Sequence, residues 1–171
     1  SDVTELDQLA GDSAASRSVF FVPALSGLAC PHWDRSATGM WIGLDSGTER
    51  TDMQKAVLEG IAFRTAEVLD VLIPTGASEA ALSIDGGLAR SPYFTRFLAS
   101  ICARRIDVLD TVDLTAVGAA EIALARASGS PLERKGRTML ARHPVMPDAV
   151  PVDDWRARFT EARSRAAGWR R

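Results

Sequence analysis

Cysteine and lysine are both scarce in this chain. Cys30 and Cys102 are the only two cysteines. They lie far apart, fit no metal-ligand spacing and make no disulfide framework of the secreted kind, so a reducing cytoplasm is the expected location. Lys55 and Lys135 are the only lysines, and every other basic residue is an arginine. With a net charge of -2 and only 6% aromatic residues, no basic face interleaved with exposed rings is available, and nucleic acid is not an expected partner. No apolar run approaches the ~20 residues that cross a bilayer, so a membrane is not expected either. Ser1-Asp2-Val3-Thr4-Glu5 has neither the charge nor the apolar stretch of a secretion signal. The sequence opens without methionine, inside what reads as a helix from Val3 to Leu9 closed by Gly11, and a piece of a longer polypeptide is expected.

What is present suffices for one ordinary core, since 46% of the residues are hydrophobic and 25% charged. A polar link, Asp12 to Ser18, precedes the run Val19-Phe20-Phe21-Val22, which Pro23 stops and which has the length of a buried strand. After a loop from Ser26 to Thr38, Met40 to Leu44 reads as a second strand of the same sheet, closed by the turn residues Asp45-Ser46-Gly47. Thr51 and Gln54 have capping-box spacing at the head of a long helix. Met53, Ala56, Val57, Gly60, Ile61, Val68, Leu69 and Leu72 form its apolar stripe, and Pro74 and Gly76 end it.

The stretch from 81 to 128 alternates strand and helix, the pattern of a parallel α/β sheet. Ala81 to Ile84 and Arg105 to Leu109 are its strands. Ser91 and Pro92 open one helix as N-cap and first helical residue, with Phe94, Phe97, Leu98 and Ile101 inward. Thr115 caps an Ala-rich helix reaching Ser128, whose Gly118, Ala119, Ala123 and Ala127 leave a surface narrow enough to sit close to a sheet or ligand. Pro131 to Val152 reads as an irregular connector. Trp155, Phe159, Ala162, Ala166 and Trp169 mark one face of a terminal helix, and the six arginines from Arg156 onward read as its solvated side.

Chemistry is concentrated at Asp85-Gly86-Gly87, between a strand and a capped helix. Glycines there let backbone approach a flat ring or a phosphate, and the next helix supplies free N–H groups and a positive dipole end. A plain tight turn has the same residues. His32, flanked by Pro31 and Trp33, has no acid or nucleophile nearby in sequence and reads as a loop histidine with a structural hydrogen bond.

The segment Phe21 to Asp34 resembles the Val-Pro-Ala-Phe-Thr-Gly-Leu-Gly-Ala-Pro-Tyr-Trp-Asp signature of glycerol kinases, within the FGGY family of carbohydrate kinases. Gly39 to Thr48, Ala56 to Phe63, Ile84 to Gly87 and Thr115 to Ala120 are similar to the family's following segments, in order and at matching spacing. Departures are Ala29 and Cys30 where Gly and Ala are usual, His32 for Tyr, Asp45-Ser46 for Thr-Arg, and Ser91 for Asn.

The resemblance implies an α/β, actin-like (ribonuclease-H-like) ATPase fold, of which this chain holds part of the C-terminal domain. Residues 1–18 would be a helix remnant and linker, 19–130 the domain core, and 131–171 the connector and last helix. It implies ATP with Mg²⁺ as cofactors, Gly86 and Gly87 against the adenosine, Ser91 near the base or capping its helix, and a polyol as substrate. In the family the phosphate loop, the catalytic Asp and the hairpin that opens the second domain lie upstream of the matched segments, so no catalytic residue and no metal ligand is assigned. The partner would be the missing N-terminal part, and Ala81 to Ile84 would show an unpaired edge that self-association can cover. Two other readings share these residues: a nucleotide-binding or interaction module without catalysis, and a kinase for another sugar such as xylulose.

Overall fold

The computed structural model describes residues 4–73, 82–110, 113–129, 131 and 142–170, and among these are five short strands, five α-helices and two 3-10 turns. Helix α1 is Thr4–Asp7, ending before the expected Leu9, and Val3 falls outside the described residues. Strand β1, Phe20–Val22, is buried throughout and pairs antiparallel with β2, Met40–Ile42, in a two-stranded sheet. The apolar run at 19–22 does what its composition dictates.

Helix α2, Arg50–Leu72, lies across β1. Gly60 makes the close approach possible: a Cβ built there would stand 2.3 Å from the carbonyl oxygen of Phe21. The buried face of α2 differs from the apolar stripe. It runs through Asp52, Lys55, Ala56, Glu59, Ala62, Phe63 and Ala66, whereas Leu72 is exposed. The capping box is also two residues earlier than expected, with Glu49 and Asp52 exchanging side-chain and backbone bonds in place of Thr51 and Gln54. Carboxylates outcompete a hydroxyl here because they complement the helix dipole.

The second sheet has the order β3-β4-β5, with β3 Leu82–Ile84, β4 Ile106–Leu109 and β5 Arg142–Val145. Strands β3 and β4 are parallel, as the strand-helix alternation requires. Between them α3, Pro92–Ile101, buries Phe94, Phe97, Leu98 and Ile101. Strand β5 was not expected in the proline-rich connector. It runs antiparallel to β4 with Pro144 opposite Asp107, an edge position where a missing N–H is tolerated. Pro74, Gly76, Ala81 and residues 132–141 of the connector fall outside the described residues.

Helix α5, Val152–Ala166, closes the core. Phe63 stacks on Phe159 with centroids 4.6 Å apart and meets Phe97 edge-on at 5.5 Å, and Phe97 stacks on Trp155. These rings join α2, α3 and α5 in one cluster. Trp169 lies beyond the helix and is 71% exposed, so the expected face stops at Ala166. The arginines of α5 are engaged within the chain: Arg156 with Asp70, Arg163 with Glu67 and Arg165 with Glu161.

Asp107 of β4 is buried and receives both Nε and a terminal nitrogen of Arg105, at 2.7 and 3.1 Å, with Arg142 at 3.6 Å. The Arg105 hydrogen bond holds its carboxyl below the usual range, against burial, with further help from the charges of Arg105 and Arg142. A depressed folded pKa contributes stability above the unfolded value and loses it as pH falls through the folded one. The stability gap between wild type and Asp107→Asn should therefore shrink below about pH 4. Urea unfolding from neutral to acid pH measures this, and a gap independent of pH would contradict it.

Candidate functional site

Strand β3 ends at Ile84 and the chain turns at once through Asp85 and Gly86. Gly86 has φ +90° and ψ -174°, backbone that side-chain-bearing residues essentially avoid. Gly87 then starts a single 3-10 turn, Gly87–Arg90. The first N–H groups of such a turn, at Gly87 and Leu88, have no acceptor within it. A Cβ built on either glycine meets no atom within 4 Å. The turn is open, with bare backbone facing free space.

Ser91 follows directly and is only 2% exposed. Its hydroxyl oxygen accepts the Phe94 N–H at 3.3 Å, capping α3, and its proton goes to the Leu6 carbonyl at 3.2 Å. Both functions of the hydroxyl are met inside the chain, so Ser91 shapes the start of α3 and ties α1 to it.

Beyond the loop lies α4, Leu114–Ser128. Asp113 caps it, accepting Ala116 N–H at 2.9 Å, in place of the expected Thr115. Asp85 reaches across and accepts Leu114 N–H at 3.2 Å. No residue of α4 is buried, and Val117, Ile122 and Leu124 are exposed. The narrow surface at Gly118 therefore faces no element among the described residues: a Cβ there meets nothing within 4 Å. Strand β3 pairs with β4 on one side and, among the described residues, with nothing on the other.

Asp34 and Asp110, two further acids in loops, have structural partners. Asp34 accepts the Ser36 hydroxyl and N–H, and the hydroxyl bond chiefly holds its carboxyl below the ordinary range. Asp110 pairs with His143. Asp45-Ser46-Gly47-Thr48, expected to close β2 as a turn, does so through its own side chains. The Asp45 carboxylate accepts Gly47 N–H and the Thr48 hydroxyl, which itself accepts Asp45 N–H, while Arg17 holds the Gly47 carbonyl. The turn is closed on itself and has no open cradle. Among the described residues no cluster of three His, Cys, Asp or Glu side chains could hold a metal ion.

His32 does make structural hydrogen bonds, from Nε2 to Glu67 at 3.2 Å and between Nδ1 and Arg163 at 3.3 Å. Sequence reasoning missed Glu59 altogether. Buried in α2, it accepts Ala14 N–H at 2.7 Å, Ala15 N–H at 2.8 Å and the Tyr93 hydroxyl, and so joins the linker, α2 and α3. The available signal was spacing: Asp52, Ala56, Glu59, Phe63 and Ala66 recur at helical period, with the acid in the middle.

The model of the C-terminal domain of the FGGY family of carbohydrate kinases matches residues 1–127. A glycerol kinase of Rhodopirellula baltica is 36% identical over 172 residues, covering 97% of this chain and 32% of that protein. The glycerol kinase of Gloeobacter violaceus is 42% identical over 117 residues, 68% of this chain and 24% of its own length. Among solved structures, Plasmodium falciparum glycerol kinase with ADP superposes with a TM-score of 0.76 at 27% identity, over 96% of this chain and 34% of that one. The chain thus spans about a quarter to a third of the length of these relatives.

Proposed function

This chain belongs to the FGGY family of carbohydrate kinases and has the actin-like ATPase fold of that family's C-terminal domain, and on that premise we propose that it is the nucleotide-holding part of an ATP-dependent glycerol kinase. The observation that carries this reading is the open turn at Gly86 and Gly87, where a nucleoside can rest on backbone with no side chain in its way. Gly87 seats the adenosine most closely. Ser91 acts on the nucleotide through the first turn of α3, which its hydroxyl caps.

Bound ATP supplies the phosphoryl group for a terminal hydroxyl of the polyol. Phosphoryl transfer depends on holding that group, Mg²⁺ and the acceptor hydroxyl in line, with a carboxylate to receive the proton. The acids near the loop have structural partners, so the proton acceptor and the ligands of Mg²⁺ fall to the rest of the polypeptide. That remainder also covers the open edge of β3 and the exposed face of α4, and in its absence self-association covers them. A cytoplasmic location fits the composition, and no described helix is long and apolar enough to cross a membrane.

The direct test is phosphate transfer from ATP by the complete polypeptide to a panel of polyols and sugars. Glycerol should be the best acceptor. Faster transfer to xylulose would move the substrate assignment within the family. ATP binding with no transfer to any acceptor would leave a nucleotide-binding module and refute the kinase.

A further inference from the structure

We propose that Asp85 is a positioning residue for the nucleotide, holding the Gly86–Gly87 turn at a fixed place relative to α4. This rests on the reading of that turn as the nucleoside seat. The far end of the turn is held where buried Ala89 and Ser91 lead into α3, but its Gly86 end has few ties among the described residues. Strand β3 is only three residues long and is bonded on one side among the described residues. The two glycines have no side chains, and nothing packs where their Cβ atoms would be. Against this, the Asp85 carboxylate accepts Leu114 N–H at 3.2 Å, across 29 residues of sequence.

That bond is not required to start α4, because Asp113 already caps the helix from its own sequence. Its distinct effect is to tie the residue before Gly86 to the helix that follows β4. A backbone site positions its ligand only as well as its own atoms are fixed, since a displaced seat loses contacts without losing the fold. The same carboxylate, with Asp113, occupies the positive end of α4.

In the complete polypeptide, Asp85→Ala should raise KM for ATP about fivefold, the size of an ordinary lost hydrogen bond, while KM for the polyol stays within about twofold. Asp85→Asn should restore most of the loss, because its amide oxygen can accept the same N–H. Hydrogen exchange at Leu114 should quicken in the alanine variant and not in the asparagine one. Asp113→Ala removes the helix's own cap and should leave KM for ATP within about twofold of wild type. Unchanged ATP binding in Asp85→Ala, or an equal rise in Asp113→Ala, overturns the inference. Gly87→Val, measured alongside, separates the two levels: if it too leaves ATP binding unmoved, the nucleoside seat itself is misplaced, and if it alone weakens binding, only the role of Asp85 fails.

Discussion

Glu59→Ala should lower the unfolding free energy by about 4 kcal/mol, because it strands three donors at once in the interior. The Ala14 and Ala15 N–H groups and the Tyr93 hydroxyl all point at this one carboxylate. Each buried donor left unmet costs roughly 1–3 kcal/mol, and water admitted to the cavity offsets part of the sum. Burial pushes the Glu59 carboxyl upward, and the bonds from Tyr93, Ala14 and Ala15 act against that shift. Burial, with Glu59 beside it, likewise pushes the Tyr93 hydroxyl up, so it remains a donor.

Two companion variants separate the contributions. Glu59→Gln keeps the volume but sets an amide nitrogen against one backbone N–H, and should cost about 1–2 kcal/mol. Tyr93→Phe removes a donor together with its need for a partner, and should cost less than Glu59→Ala. Urea denaturation of the complete polypeptide reads all three. A loss below about 1 kcal/mol in Glu59→Ala would mean that the linker is not held by this carboxylate.

Glu59 also shows what could not be read from the sequence. Periodicity located α2, since its apolar residues recur at helical spacing whichever face is chosen. It misplaced the buried face, because Lys55 and Glu59 point inward with their polar atoms met, Lys55 by the Asp12 carbonyl at 2.8 Å. A stripe drawn from apolar residues alone passes over such positions and takes in Leu72, which is exposed. Where local rules act alone, expectation and structure agree. Ser91 and Pro92 open α3, the run at 19–22 supplies β1, and β3 and β4 are parallel.

Competition between neighbours decided the remaining local differences. Asp113 outranks Thr115 as a cap, and Asp52 outranks Gln54, as charge at a helix start would have it. Strand β5 was hidden by Pro144, which marks a loop in sequence and is harmless at a sheet edge. The candidate site was legible for a different reason. A turn at φ +90° all but requires glycine, so Gly86 announces its own backbone. Ser91 was legible as a cap, but its inward orientation was not, because Leu6 lies 85 residues away in sequence.

Gly87→Val should raise KM for ATP about tenfold or more and leave KM for the polyol nearly unchanged. The added side chain meets no protein atom at its Cβ, so the fold can accept it and the melting temperature should hold. Gly86 is the contrasting case: its positive φ strains any side chain, so a loss of binding in Gly86→Val mixes site and fold effects. At Gly87 the only thing displaced is whatever occupies the space above the turn. If that is adenosine, ATP binding weakens selectively and AMP or adenosine competition weakens in parallel. A rise shared equally between ATP and polyol would instead point to a general loosening of the domain. No rise in either would place the nucleotide elsewhere, and the open turn would then be only a turn.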